Sequence, residues 1–129
     1  MKIEHVAYQV EDPAGFARWY VRHLGLTVKR VQSDPPFGHF LADDGDTVML
    51  EVYHKPTVKV PDYRRIDPSV LHVAFSVPDV AGARARLLDA GATAVGEVQL
   101  GPAGDRFAML RDPWGLPIQL VHRAVAMIG

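Results

Sequence analysis

"IEHVAYQVEDPAG" (residues 3–15) and "VLHVAFSVPDVAG" (residues 70–82) are two versions of one pattern. His5, Val6, Ala7, Val10, Asp12, Ala14 and Gly15 recur as His72, Val73, Ala74, Val77, Asp79, Ala81 and Gly82, always 67 positions later. Tyr8 stands against Phe75 as an aromatic exchange, and Phe40 and Phe107 keep the same spacing. Seven identities in thirteen ungapped positions exceed what shared composition produces, so the chain reads as an internal duplication.

Each copy parses alike. "VLHVAFSV" (70–77) is dominated by apolar residues, β-branched and aromatic types among them, and reads as a buried strand that carries a histidine, His72. An aspartate with N-cap chemistry follows each first strand, Asp12 before Pro13 and Asp79 after Pro78. Phe16, Tyr20 and Leu24 form the apolar stripe of the first helix and Gly25 its stop; Val80, Ala83, Leu87 and Leu88, then Gly91, repeat this in the second. Three strands come next, at about 26–33, 37–43 and 47–53, and again at about 93–99, 105–111 and 116–122. "DDGD" (43–46) and "DPWG" (112–115) supply the turns. The fold class is therefore α+β. Two βαβββ modules stand in tandem, module 1 at about 2–53 and module 2 at 70–123, joined by a proline-containing linker at 54–69 within one domain, 1–129.

Composition narrows the function. Net charge is −1 over 129 residues, and the basic clusters "YRR" and "ARAR" are short, so no nucleic-acid partner is expected. No apolar run spans a bilayer, and "MKIEHVAYQV" is a strand pattern rather than a signal peptide, so a cytoplasmic protein without membrane contact is expected. The absence of cysteine excludes disulfides, thiolate catalysis and sulfur-ligated metals.

Side chains alternate across a strand. If Leu50, Val52, Ile118 and Leu120 pack under the helices, Glu51 and Gln119 face the other side. The same parity puts Val6, Tyr8, Val73 and Phe75 under the helices and His5 and His72 opposite. Two imidazoles, a carboxylate and an amide oxygen are thus expected on the concave, helix-free face of one curved mixed sheet. That set suits one divalent metal per site, Zn, Ni, Mn, Co or Fe, or else marks a degenerate site that has lost its metal. Gln9, Met49, Tyr53 and Ser76 share the parity and are candidate substrate contacts or ordinary groove residues. Trp114 either closes the cavity mouth or caps the core, and His23, His39, His54 and His122 read as surface or local residues.

Paired βαβββ units with ligands on first and last strands resemble the vicinal oxygen chelate superfamily, which includes glyoxalase I, methylmalonyl-CoA epimerase, extradiol dioxygenases and bleomycin resistance proteins. "IEHVAYQVEDPAGFARWYVRHLGL", "LHVAFSVPDV" and "RDPWGLPIQLVHR" carry the resemblance, which covers residues 2–123. It implies that His5 and Glu51 are ligands from module 1, and His72 and Gln119 from module 2. The pattern is similar to that of glyoxalase I except at Gln119, where that family has a glutamate base. An amide accepts no proton near pH 7, which leaves Glu51 as the catalytic carboxylate. One glutamine and one glutamate on opposite last strands also resembles the epimerase arrangement with modules exchanged.

The resemblance implies a glyoxalase I-like lyase or isomerase that chelates vicinal oxygens of a small substrate and moves a proton through an enediolate. The alternatives are an Fe(II)-dependent extradiol-type dioxygenase, whose carboxylate would fall where Gln119 stands, and a metal-free bleomycin-resistance-like binding protein, whose members typically lack the histidine pair. Four-stranded sheets leave edges that need covering, so a homodimer is expected, with sites either within one chain or shared between two.

Overall fold

Asp12 and Asp79 each start a helix as the repeat requires, in a computed structural model that describes residues 1–129. Asp12 Oδ1 accepts the Gly15 N–H at 2.9 Å, and Asp79 Oδ1 accepts the Gly82 N–H at 3.0 Å. A Cβ on either glycine would collide with the capping carboxylate. The recurrence of Asp and Gly at this spacing is therefore the signature of one cap built twice.

The chain divides between Pro61 and Asp62 into two units. The first contains β1 (His5–Gln9), α1 (Pro13–Leu24), β2 (Thr27–Val31), β3 (His39–Ala42) and β4 (Met49–Tyr53). The second contains β5 (Val73–Ser76), α2 (Val80–Asp89), β6 (Thr93–Leu100), β7 (Arg106–Arg111) and β8 (Pro117–His122), with short 3-10 turns at Tyr63–Arg65 and Pro102–Gly104. Each unit forms a four-stranded mixed sheet, ordered β1-β4-β3-β2 and β5-β8-β7-β6. First and last strands pair in parallel and the remainder antiparallel. No helix is long and apolar enough to cross a membrane.

Residues 54–69 are shared between the units. Residues 55 and 58 are tied to β1 by Gln9, whose amide donates to the carbonyls of Lys55 and Val58, both at 2.8 Å. Tyr63 and Ile66 are held by Arg111, which donates to their carbonyls at 2.8 and 2.9 Å.

In unit 1 the core gathers between α1 and β3–β4, where Phe16, Tyr20, Leu41 and Val52 are buried and Phe16 stacks on Tyr20 at 4.2 Å. In unit 2 Val80, Ala83 and Leu87 pack against Leu110, Ile118 and Leu120, all buried. The first strands differ from expectation. α1 lies over β2–β4 and α2 over β6–β8, while β1 and β5 form sheet edges. Tyr8 and Val10 are still buried, but Val6 is 47% exposed, and Val73 and Phe75 are only half-buried. "VLHVAFSV" is thus not a buried strand: Val70 is 77% exposed and the strand begins at Val73. His39, expected as a surface or local residue, is buried beside Val52 and makes a local contact, its Nδ1 lying 2.7 Å from the Phe37 carbonyl.

The strand register corrects one equivalence. Glu51 stands opposite Ala7 and Gln119 opposite Ala74, so the two are structural counterparts although 68 positions apart. Phe40 pairs with Glu51, whereas Met109 pairs with Gln119. Met109, not Phe107, is the counterpart of Phe40, because loop-length differences shift the later strands.

The "RDPWG" turn closes unit 2. Asp112 is buried, and its Oδ1 accepts the N–H groups of Trp114 and Leu116, both at 2.9 Å. Gly115 has φ +94°, and a Cβ there would stand 2.9 Å from the Arg64 backbone nitrogen. Gly96 has φ +74° with open space around it. Gly96→Ala should cost only backbone strain, about 1–3 kcal/mol, and Gly115→Ala distinctly more. Urea unfolding midpoints measure both, and equal losses would show that Arg64 yields at little cost.

Asp105 ties down the chain after β8, its carboxylate accepting the Ala124 N–H and the Arg123 guanidinium, both at 2.9 Å. Those bonds, the Ala124 amide first, hold its carboxyl below the usual aspartate value. A depressed folded value stabilises the segment above the unfolded value of about 4 and is lost as pH falls through the folded value. Exchange at the Ala124 amide should rise on that descent, and in Asp105→Asn the step should vanish.

Candidate functional site

In unit 1 the parallel pairing of β1 with β4 sets His5 beside Met49 and Ala7 beside Glu51. The His5 ring leans toward Glu51, bringing Nε2 to 3.3 Å from Oε2. Its Nδ1 lies 2.9 Å from Glu4 Oε1. A carboxylate only accepts, so Nδ1 carries the hydrogen and Nε2 is the atom presented to Glu51. A neutral ring offers a lone pair there, which sets two acceptor atoms face to face where a cation could bridge them. The His5 side chain is 37% exposed and that of Glu51 21%, so solvent screens any direct attraction between them.

Phe40 walls this site, its ring edge-on to the imidazole at 5.6 Å between centroids. Gly38 lies against this site: a Cβ there would make ordinary contact with Glu51 Oε1 at 3.6 Å and a tighter one with Gln32 Oε1 at 3.3 Å. Beside the pair lies a cavity of about 270 Å³ lined by Glu4, His5, Lys29, Arg30, Phe40 and Met49.

In unit 2 His72 precedes β5 and is exposed. Its Nδ1 donates to the Pro68 carbonyl at 2.7 Å, which leaves the Nε2 lone pair free. Gln119 sits half-buried between Ala74 and Met109, and no hydrogen bond joins it to His72. A second cavity, of about 550 Å³, is lined by Ala74, Ser76, Val121, His122 and Arg123 together with the chain end at Ala126–Ile128.

The structure thus brings His5 and Glu51 together and carries His72 and Gln119 on the other unit. No three His, Asp or Glu side chains form a metal-holding group. The donor chemistry nonetheless suits a cation. Two ligands about 2.1 Å from one ion, at tetrahedral or octahedral angles, stand roughly 3.0–3.4 Å apart, and the His5–Glu51 separation of 3.3 Å falls in that interval. Both histidines also have Nδ1 bonded to an oxygen, which orients Nε2 as ligands require.

Among the candidate substrate contacts, Met49 and Ser76 line the cavities of their units. Tyr53 pairs with Gln9 across the strands, and the Gln9 amide is engaged with the backbone of residues 55 and 58. Glu4, Arg30, Gly38 and Phe40 were missed as site residues. Glu4 reads as a solvated neighbour in sequence, and the position of Arg30 depends on an irregularity in β2 that no periodicity signals.

The family model of the Glyoxalase/Bleomycin resistance protein/Dioxygenase superfamily matches residues 2–120. The solved structure of SMU.1112c is 31% identical, with 94% of this chain and 98% of that one covered at a TM-score of 0.72. A glyoxalase family protein from Bacillus cereus shares the fold at 20% identity, 95% and 93% coverage and a TM-score of 0.81. So does TnmS3, an antibiotic binding protein from Streptomyces sp. CB03234, at 23% identity, 96% and 97% coverage and a TM-score of 0.73. No curated protein matches the chain. Its repeated βαβββ units and the match along nearly its whole length place the chain in the Glyoxalase/Bleomycin resistance protein/Dioxygenase superfamily.

Proposed function

We propose that the protein is a divalent-metal-dependent lyase or isomerase of the glyoxalase I-like type, acting on a small molecule with vicinal oxygens. The observation that carries this is the His5–Glu51 pair, whose donor atoms stand at the separation of neighbouring metal ligands. His5, Glu51, His72 and Gln119 would hold the ion, three of them through charged or lone-pair donors and Gln119 through its amide oxygen. A bound divalent cation would supply Lewis acidity, making the C–H beside a chelated oxygen easier to ionise. Glu51 then takes that proton at a carboxylate oxygen and returns it to the neighbouring carbon. Glu4 fixes the His5 ring through Nδ1, and Phe40 limits its tilt. Gln119 orients the substrate or cation and transfers no proton.

A second reading is sequestration of a small molecule without chemistry. The largely apolar cavity of unit 2 and the fold shared with the antibiotic binding protein TnmS3 favour it. Metal analysis of untagged protein separates the readings. One divalent ion per site supports the enzyme, its absence after reconstitution supports sequestration, and air-sensitive Fe(II) points to dioxygenase chemistry.

His5→Ala and His72→Ala should each weaken metal binding on the order of 100-fold or more with the circular dichroism spectrum unchanged. Retention of metal by either variant overturns the ligand assignment. Gln119→Glu should tighten binding about tenfold by adding a charged ligand, and an unchanged titration removes Gln119 from the set.

The four edge strands of the two sheets, β1, β2, β5 and β6, are the basis for proposing a homodimer, and we place it in the cytoplasm. Light scattering should give twice the chain mass. Mixing His5→Ala with His72→Ala protein should restore metal binding if sites are shared between chains, and restore none if each chain builds its own.

A further inference from the structure

β2 departs from a regular ladder at one point. Val28 pairs with Leu41, but the next partner of β3, Phe40, pairs with Arg30, so Lys29 is an extra residue in a β-bulge. Without it, Lys29 would stand opposite Phe40, and Arg30 would turn to the helix-facing side beside buried His39. The bulge re-aims Arg30 to the face that carries Phe40, His5 and Glu51. As a result two successive cations, Lys29 and Arg30, line the same 270 Å³ cavity as His5.

The two cations are not equivalent. Lys29 Nζ is held by Asp46 Oδ1 at 2.7 Å. Glu4, the acidic residue lining the cavity, is engaged with His5 Nδ1 at 2.9 Å. Arg30 has no carboxylate partner, and its guanidinium carries a planar fork of N–H donors suited to a two-oxygen anion. Met49 and the Phe40 ring make the cavity's apolar walls.

We propose that Arg30 is a specificity-determining residue that binds an oxyanion, a carboxylate or phosphoryl group, on the substrate of this site. The proposal deepens the function given above and rests on it only for the chemistry at His5 and Glu51. The substrate is then an anionic small molecule whose charged group sits on Arg30 and whose apolar part lies along Phe40 and Met49. Lys29, already neutralised by Asp46, adds field but no direct bond.

The test uses benzoate and phenylphosphonate as anionic probes and benzamide as the neutral control, on the full chain before and after removal of metal with EDTA. Amide resonances of Lys29–Val31 and His39–Ala42 report binding. At least one anion should bind about tenfold or more tighter than benzamide, with a dissociation constant in the millimolar range or below. The stronger anion identifies the group as carboxylate or phosphoryl. Arg30→Gln should abolish the discrimination, Arg30→Lys should retain part of it, and Lys29→Gln should change it less than about threefold. Equal binding of benzamide, no binding of either anion, or discrimination that survives Arg30→Gln overturns the proposal. Discrimination in a protein that takes up no metal would instead remove the metal-dependent reading and leave the anion site standing.

Discussion

Parallel pairing of the first strand with the last is the constraint on which each unit depends. β1 and β4 run side by side in the same direction, as do β5 and β8, so one connection must cross the sheet and the others can be hairpins. The helix is that crossing, and it covers one face. The other face is left for whatever the first and last strands direct toward it. Ala7 opposite Glu51, and Ala74 opposite Gln119, put a small residue beside each long polar one, so the polar side chain has room to swing toward the histidine end of the neighbouring strand.

The two halves keep the backbone and diverge in chemistry. His5 is oriented by a side-chain carboxylate, Glu4, whereas His72 is oriented by a backbone carbonyl, that of Pro68. Glu51 carries charge and Gln119 does not. Unit 1 therefore concentrates the titratable chemistry, while unit 2 offers a neutral oxygen and the larger, more apolar cavity. That asymmetry matches a proton-transferring carboxylate on one side and positioning groups on the other.

Rigid supports surround the less regular parts. Gln9 spans three backbone bonds to residues 55 and 58, and Arg111 binds the carbonyls of Tyr63, Ile66 and Gly115. These side chains replace the ladder bonds that residues 54–69 lack, because buried backbone groups need partners wherever no strand supplies them. Gln9 looked like a groove residue by parity alone, yet much of its amide is used for this anchoring.

The duplication, both helices with their caps, the six later strands and the face shared by His5 and Glu51 were legible in the sequence, since periodicity and capping are local properties of neighbouring residues. Tertiary structure decided the rest. Helix placement left Val6 exposed and buried His39, because cover depends on where a helix lies across the sheet and not on strand parity. Loop lengths made Met109 the counterpart of Phe40, which ungapped spacing could not show. The bulge at Lys29 turned Arg30 toward His5, since register between strands is set by pairing over distance. What the residues determine by themselves is which side chains can alternate or cap; which of them meet is decided by how the elements pack.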